Sequence, residues 1–426
     1  MRPQPVSLQS DLTLLHLPHQ RYRTDRLTGV FAVPLRKETA AGYAILPGLL
    51  TRGCRQYPTM VSFNRQLDSL YGATIQGHVA RLGEWQILLF SVSYLNRRYT
   101  PDGSDLTAAC TRLLLDMLFD PVLEEGAFPT DIFAQEQRCL LEKLQSELNN
   151  KRLYAIRRCT GLLCPDHPFS LNPNGTVETV EALTPIAAAT ARERLLAEAR
   201  IHWLYQSADD PAPLATTLEQ RFAGLPYRRA VSLTPDTSFK LKESRLSENM
   251  AVNQAKLVLG FRVAITEPDG QVAAAQLMNA LWGGTATSLL FTHVREEQSL
   301  CYYCLSSYDR HRGILLVDSG VQPENAAHTE QEILKQLEAI RNDNFSDGEL
   351  EAARRSLIQQ YAACADTPDS LEDHYAMQAL YGTCLTPEEM GNRLLAVTRE
   401  DVCRAARLTH FDSVYLLLPD GEVSDQ

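Results

Sequence analysis

No apolar run in this sequence approaches the ~20 residues that a membrane-spanning helix needs, so no membrane partner is expected. The opening stretch, MRPQPVSLQSDLTLLHLPHQRYRTDR, has no uninterrupted apolar core of the secretory-signal kind, and a cytoplasmic location is expected. Excess positive charge is missing as well. Lys and Arg number 41 against 52 Asp and Glu, and the formal net charge of −11 argues against nucleic acid as a partner. A disulfide framework is also missing: the ten cysteines are scattered through both halves of a long chain, as reduced core residues are. Metal-ligand spacing is poor. CTGLLCPDH brings Cys159, Cys164 and His167 close, but its C-x4-C spacing is at the edge of the usual zinc range and no fourth ligand is evident. Cys301 and Cys304 form a lone C-x-x-C inside a predicted strand, where positions three apart point to opposite faces.

What is present is the composition of a globular protein, 44% hydrophobic and 22% charged, in a chain of 426 residues that is too long for one core. Strand patterns fall at Leu12–Leu17, Thr28–Leu35, Thr74–Arg81, Trp85–Tyr94 and Ile201–Gln206. Helical patterns fall at Ala41–Thr51, Ser62–Tyr71, Leu106–Phe119, Ile132–Leu153 and, broken by Pro185, Val180–Glu198. Val231–Asn249 is polar, carries Pro235 and lacks apolar periodicity, so it reads as a linker. A second series follows: the strand Gln254–Ile265, the helix Val272–Trp282, the strand Gly313–Val321, long helices from Thr329 to Tyr381, a helix at Glu400–Leu408 and a closing strand at Ser413–Leu418. The order of elements is similar in the two halves, and ALTPIAAATARERLLA in the first loosely parallels LTPEEMGNRLLAVTREDV in the second. The expected fold is α+β: two homologous domains, 1–230 and 250–426, joined by a linker at 231–249. Each would be a mostly antiparallel sheet packed with helices, the two enclosing a cleft or half-chamber.

One stretch gathers unusual residue types. In LWGGTATSLLFTHVREEQSLCYYCLSSY, Gly283-Gly284 predict a turn with positive φ. Ala286–Gln298 then predicts a helix, and Leu300–Tyr308 a strand. Arg295 and Tyr302 flank the helix-to-strand junction, where a cation and a phenol could be aimed at one peptide backbone. Residue types alone favour Arg295 paired with a nearby carboxylate and Tyr302 as half-buried sheet.

The same stretch resembles the glycine turn, helix, Arg-Glu and Leu-x-Tyr signature of the insulinase/pitrilysin-like zinc peptidases, specifically two-domain subunits like those of mitochondrial processing peptidase. HPFSLNPNGTVETVEALT and RGCRQYPTMVSFNRQLDSLYGATIQGHV resemble further segments of that family, in the family's order, and the similarity covers nearly the whole chain. The family's inverted zinc motif, His-x-x-Glu-His, places two histidines on one helical face and a general base beside them. Its matching positions here are Ala44, Pro47 and Gly48, none of which can ligate a metal or act as a base. The family's third ligand, a later glutamate, falls at Glu142 or at Lys143. The resemblance therefore implies no metal in this chain.

The Arg/Tyr pair of the family's second domain matches Arg295 and Tyr302, whose donors would hold a substrate carbonyl. The resemblance implies a catalytically incomplete homologue of the zinc-lacking YfmF type, a type associated with 5-aminopentanol modification of elongation factor P. It would be the Arg/Tyr substrate-binding subunit of a heterodimer, zinc being held by a homologous partner subunit and the substrate being a peptide or unfolded polypeptide. The alternative is a scaffold or peptide-binding protein with no turnover.

Overall fold

The strand-like runs near the N-terminus pair into a sheet whose centre is apolar on both faces. The structure, a computed structural model, describes residues 2–8, 12–223, 243–267 and 269–420. Strands β1 (Gln4–Ser7), β2 (Leu12–Leu17), β3 (Thr24–Pro34), β4 (Thr74–Leu82), β5 (Trp85–Leu95) and β6 (Arg200–Gln206) form a six-stranded sheet in the order β1-β2-β6-β3-β5-β4. All neighbours are antiparallel except β2 and β6. β3 and β5 are buried along almost their whole length, which is why they read as near-continuous apolar runs. β4, at the edge, alternates between exposed and half-buried positions.

A second sheet contains β7 (Ser244–Met250), β8 (Ala255–Val263), β9 (Cys301–Asp309), β10 (Ile314–Val321) and β11 (Thr409–Pro419) in the order β7-β11-β8-β10-β9. Only β7 and β11 are parallel. This order repeats β2-β6-β3-β5-β4 strand for strand, with the parallel pair in the same place. The α+β class and the two homologous sheets thus stand as expected, but the register of the repeat shifts. The helix preceding the closing strand is Pro185–Glu198 in the first half and Arg399–Arg407 in the second. Thr184 and Thr398 cap these two helices with their side chains. ALTPIAAATARERLLA is therefore matched by VTREDVCRAARL, and not by the LTPEE segment that resembles it in wording.

The chain divides into two compact units, and neither is one uninterrupted stretch. The first takes Met1–Gln145, Leu171–Ser232 and Ala365–Thr386; the second takes Ser146–Ser170, Leu233–Cys364 and Pro387–Gln426. Each sheet is thus backed by a helix from the other half of the sequence. Lys151–Leu163 lies on β8 and β11; its Arg152 pairs with Asp318 of β10, and its Tyr154 donates to Glu248 Oε2 of β7 at 3.1 Å. Pro368–Leu380 lies on β3 and β6. Gln206 Nε2 donates to Pro368 O at 2.9 Å and Arg200 Nη1 to Leu380 O at 3.1 Å, holding both ends of that helix.

Two sequence expectations change here. The single helix expected at Ile132–Leu153 is two, Thr130–Asn149 and Lys151–Leu163, because Asn150 leaves helical geometry and its side chain accepts from Leu153 N. Of the expected linker 231–249, residues 231–242 lie outside the described residues, while Ser244–Asn249 belongs to β7. Its alternation of exposed and half-buried residues in SRLSENM is that of a polar edge strand, which resembles a linker in composition. Among the described residues, no helix is long and apolar enough to cross a membrane.

Asp25, on β3, is 2% exposed and accepts from Asn96 Nδ2 at 2.8 Å. Burial raises its carboxyl to about 6, against the hydrogen bonds from Asn96 and Ser207. A raised acid keeps its proton in the folded chain after the unfolded chain has lost it. Its contribution to stability is therefore present below about pH 4 and lost as pH rises through the folded value. Asp25→Asn is expected to raise stability at pH 7 by about 1–3 kcal/mol and to flatten the dependence between those limits. Thermal melts of both chains across that range check it; an unchanged slope in the variant would refute it.

Candidate functional site

The residues matching the zinc motif sit where Pro47 interrupts a helix. Proline has no N–H to donate back to Tyr43 O, and the run splits at Ile45 into Ala40–Ala44 and Leu46–Leu50. Ala44 is buried, and Pro47 lies against the edge strand β4, 3.1 Å from where a Cβ on Gly77 would be. Gly48 faces the Thr130–Asn149 helix. A Cβ at Gly48 would collide with Glu136 Oε2 and stand 2.8 Å from Glu136 Cδ. The Glu136 carboxylate is held there by Arg52, whose Nε donates to Oε1 at 2.8 Å and whose Nη2 pairs with the same oxygen.

This arrangement does not fit zinc. Ala44, Pro47 and Gly48 carry no side-chain donor atom, and the neighbouring Glu136 carboxylate is committed to the Arg52 guanidinium. Neither sequence candidate for the third ligand faces Gly48. Glu142 is exposed, and Lys143 donates to Asn174 Oδ1 at 3.0 Å. The carboxylate beside the emptied position is Glu136, two helical turns earlier. The signal that could have found it is Gly48 itself, a mid-helix glycine that something must approach closely. Cys159, Cys164 and His167 do not converge either. Cys159 is buried with its Sγ directed at Val258 O, 3.6 Å away, and His167 Nδ1 accepts from Phe169 N at 3.1 Å. Among the described residues, no group of three His, Cys, Asp or Glu is set to hold a metal ion.

The second candidate lies wholly in the second unit. Gly283 and Gly284 are not a positive-φ turn; they end a wide π-type turn, Ala280–Gly284. Their lack of a Cβ admits close neighbours, since one at Gly283 would meet Leu290 Cδ1 at 2.7 Å and Ser306 Oγ at 2.8 Å. The helix begins later than expected, at Leu290, and runs to Glu297 with π-type spacing. Ser299, at φ 51°, turns the chain out of it. Ser299 N bonds to Arg295 O at 3.1 Å and Leu300 N to Val294 O at 3.1 Å, so β9 starts while still tied to the helix.

Arg295 is 41% exposed along its side chain, lies 4.6 Å over the Phe291 ring, and its Nε is 3.5 Å from Glu296 Oε1. A pair this exposed holds the guanidinium weakly and leaves its remaining donors for a ligand. Tyr302 is 79% exposed, which overturns the expectation of half-buried sheet. The cause is a bulge. Gly320 and Val321, consecutive on β10, stand opposite Tyr303 and Cys301, so Tyr302 has no partner across the ladder and points outward. The bulge also reverses the face of every residue before it. Cys301 and Cys304, expected on opposite faces, share one and their thiols are hydrogen-bonded. Among the described residues, β9 is the edge strand of its sheet.

The chain is similar to several known proteins. Residues 209–357 match the family described as "Peptidase M16 inactive domain". The "Probable inactive metalloprotease YmfF" of Bacillus subtilis is 27% identical over 96% of each chain, and the "Uncharacterized zinc protease YmxG" of the same organism is 24% identical over 42% of this chain and 45% of its own. Among solved structures, a conserved protein from Enterococcus faecalis superposes with a TM-score of 0.91 at 26% identity over the full length of both chains. A peptidase M16 inactive domain from Pseudomonas fluorescens superposes with a TM-score of 0.81 at 16% identity, again over both full lengths, and shows the likeness of fold.

Proposed function

We propose that this chain, similar over 96% of its length to a probable inactive metalloprotease and in residues 209–357 to the peptidase M16 inactive domain, is an inactive homologue of the insulinase/pitrilysin-like family and the substrate-binding subunit of a heterodimeric zinc peptidase. A homologous partner with an intact His-x-x-Glu-His would hold zinc and its water. This chain would present Arg295 and Tyr302 to the peptide. The observation that carries the reading is the contrast between two sites in one chain. The positions matching the zinc motif carry no ligand and the carboxylate beside Gly48 is paired with Arg52, while Tyr302 is turned out to solvent by a bulge and Arg295 is paired with an exposed Glu296. A guanidinium and a phenol donating to one carbonyl oxygen stabilise charge that grows on it during attack, work that needs no metal in the same chain. The pair of subunits would act in the cytoplasm, where the ten thiols stay reduced.

The test is reconstitution. The chain is co-expressed with a zinc-motif homologue from the same genome, and cleavage is assayed on unfolded polypeptides, with elongation factor P peptides first in view of the YfmF-type resemblance. Arg295→Ala and Tyr302→Phe are each expected to lower kcat/KM by about tenfold or more, with the complex still formed. Turnover unchanged by both substitutions would leave the pair no part in the reaction. Peptide binding without turnover in every such complex would favour a peptide-binding role instead.

A further inference from the structure

The bulge at Tyr302 gives Cys301 and Cys304 a relation that their spacing conceals. Cys301 stands across from Val321 and Cys304 across from Ser319, two residues apart on β10. The cysteines are therefore separated by about two strand residues, ~6.6 Å, where a regular three-residue step would span ~10 Å. The shorter span falls within the Cα separations that a disulfide bridges and the longer does not. The thiols share one face and are in hydrogen-bonding contact. They differ in access: Cys301 is partly exposed and Cys304 is buried. The Cys301 thiol is lowered to about 7, first by the hydrogen bond from Cys304, then by Ser319 and the charge of Arg295, against burial. Cys304 is pushed up by that same hydrogen bond and by burial. Reactive cysteines lie in partly exposed, electropositive surroundings, and inert ones in enclosed apolar surroundings.

We propose that Cys301 and Cys304 are a dithiol oxidation site for hydroperoxides, with Cys301 the attacking thiolate and Cys304 the resolving thiol. In the first step the Cys301 sulfur attacks a peroxide oxygen and the O–O bond breaks. The leaving oxygen takes up a proton, and Cys301 becomes a sulfenic acid. In the second step the Cys304 sulfur attacks the Cys301 sulfur, the S–O bond breaks, and water departs with the Cys304 proton. Two thiols lose two electrons and two protons; hydrogen peroxide is reduced to two waters, or an organic hydroperoxide to water and an alcohol. The disulfide pins both ends of the bulge that holds Tyr302 outward. A reducing thiol returns the pair to its starting state by exchange. This chemistry concerns the sulfurs alone and stands or falls apart from peptide cleavage.

Both cysteines lie in one tryptic peptide, Glu296–Arg310. The reduced full-length chain is titrated with hydrogen peroxide, free thiols are alkylated, and the digest is weighed. The peptide is expected to lose two hydrogens and to escape alkylation about fivefold faster than exposed Cys139 is lost, and to regain both labels after reduction. In Cys304→Ser the Cys301 sulfenic acid is expected to persist and react with dimedone. In Cys301→Ser, Cys304 is expected to stay reduced at the same dose. Cys304→Ala serves where the serine variant does not fold, and thermal melts of each variant confirm folding. Full alkylation of the peptide at a dose that has oxidised Cys139 would overturn the proposal, as would overoxidation of Cys301 without a disulfide in the parent chain.

Discussion

Glu372→Ala is expected to destabilise the first unit by about 3–5 kcal/mol, the cost of leaving a buried charge without its partner. Glu372 is 2% exposed and Arg26 6%. Arg26 Nε donates to Glu372 Oε2 at 2.6 Å, Nη2 to Oε1 at 3.2 Å and to Ser91 Oγ at 3.1 Å, and Thr28 Oγ1 donates to the same carboxylate. The pair joins β3 to the Pro368–Leu380 helix, which reaches this sheet from the other half of the sequence. Removing the carboxylate leaves a guanidinium that is only 6% exposed without its buried partner. The other acid paired with Arg26, Asp369, has a largely exposed side chain and repays little of that cost. The paired change Arg26→Met with Glu372→Leu is expected to recover most of the loss, because two apolar side chains of similar volume leave nothing unpaired. Urea denaturation of the three variants measures both. A Glu372→Ala loss below about 1 kcal/mol would mean that the pair is not desolvated as described.

The second large effect is expected at Gly48. Restoring the motif residue, Gly48→His, is expected to cost about 2–4 kcal/mol and to recruit no zinc. Any Cβ there displaces the Glu136 carboxylate, and Glu136 can yield only by leaving Arg52. Gly48→Ala separates this from ordinary helix effects. Glycine to alanine inside a helix normally stabilises, by about 0.5–1 kcal/mol. Here the sign is expected to be reversed in the parent chain and restored when Glu136 is also alanine, a coupling that a double-mutant cycle reads directly. Additive effects of Gly48→Ala and Glu136→Ala would show that the two positions do not touch.

Much of the fold was legible in the sequence because its strands carry strong signals. Leu12–Leu17 was read at its observed bounds, and Thr74–Leu82 and Trp85–Leu95 within one residue at either end. Three features were illegible for three physical reasons. β7 is polar on an edge, and composition does not separate such a strand from a linker. The bulge at Tyr302 is a property of two strands in register, and neither strand's pattern records it. Glu136 joins Gly48 through packing between helices 88 positions apart in the chain, which periodicity along one helix does not report. Arg295 and Tyr302 stand out by residue type at the helix-to-strand junction, and only the resemblance gives them a substrate-binding role. Their exposure, and the tie between the helix end and β9 that fixes their spacing, came from the backbone.

The positions that match the zinc motif carry no ligand, and the carboxylate beside Gly48 is paired with Arg52. The most direct measurement is the metal content of the purified chain after dialysis against a chelator and then against buffered zinc, in the parent and in Glu136→Gln. The structure predicts no stoichiometric zinc in either. One zinc per parent chain, lost in Glu136→Gln, would contradict it.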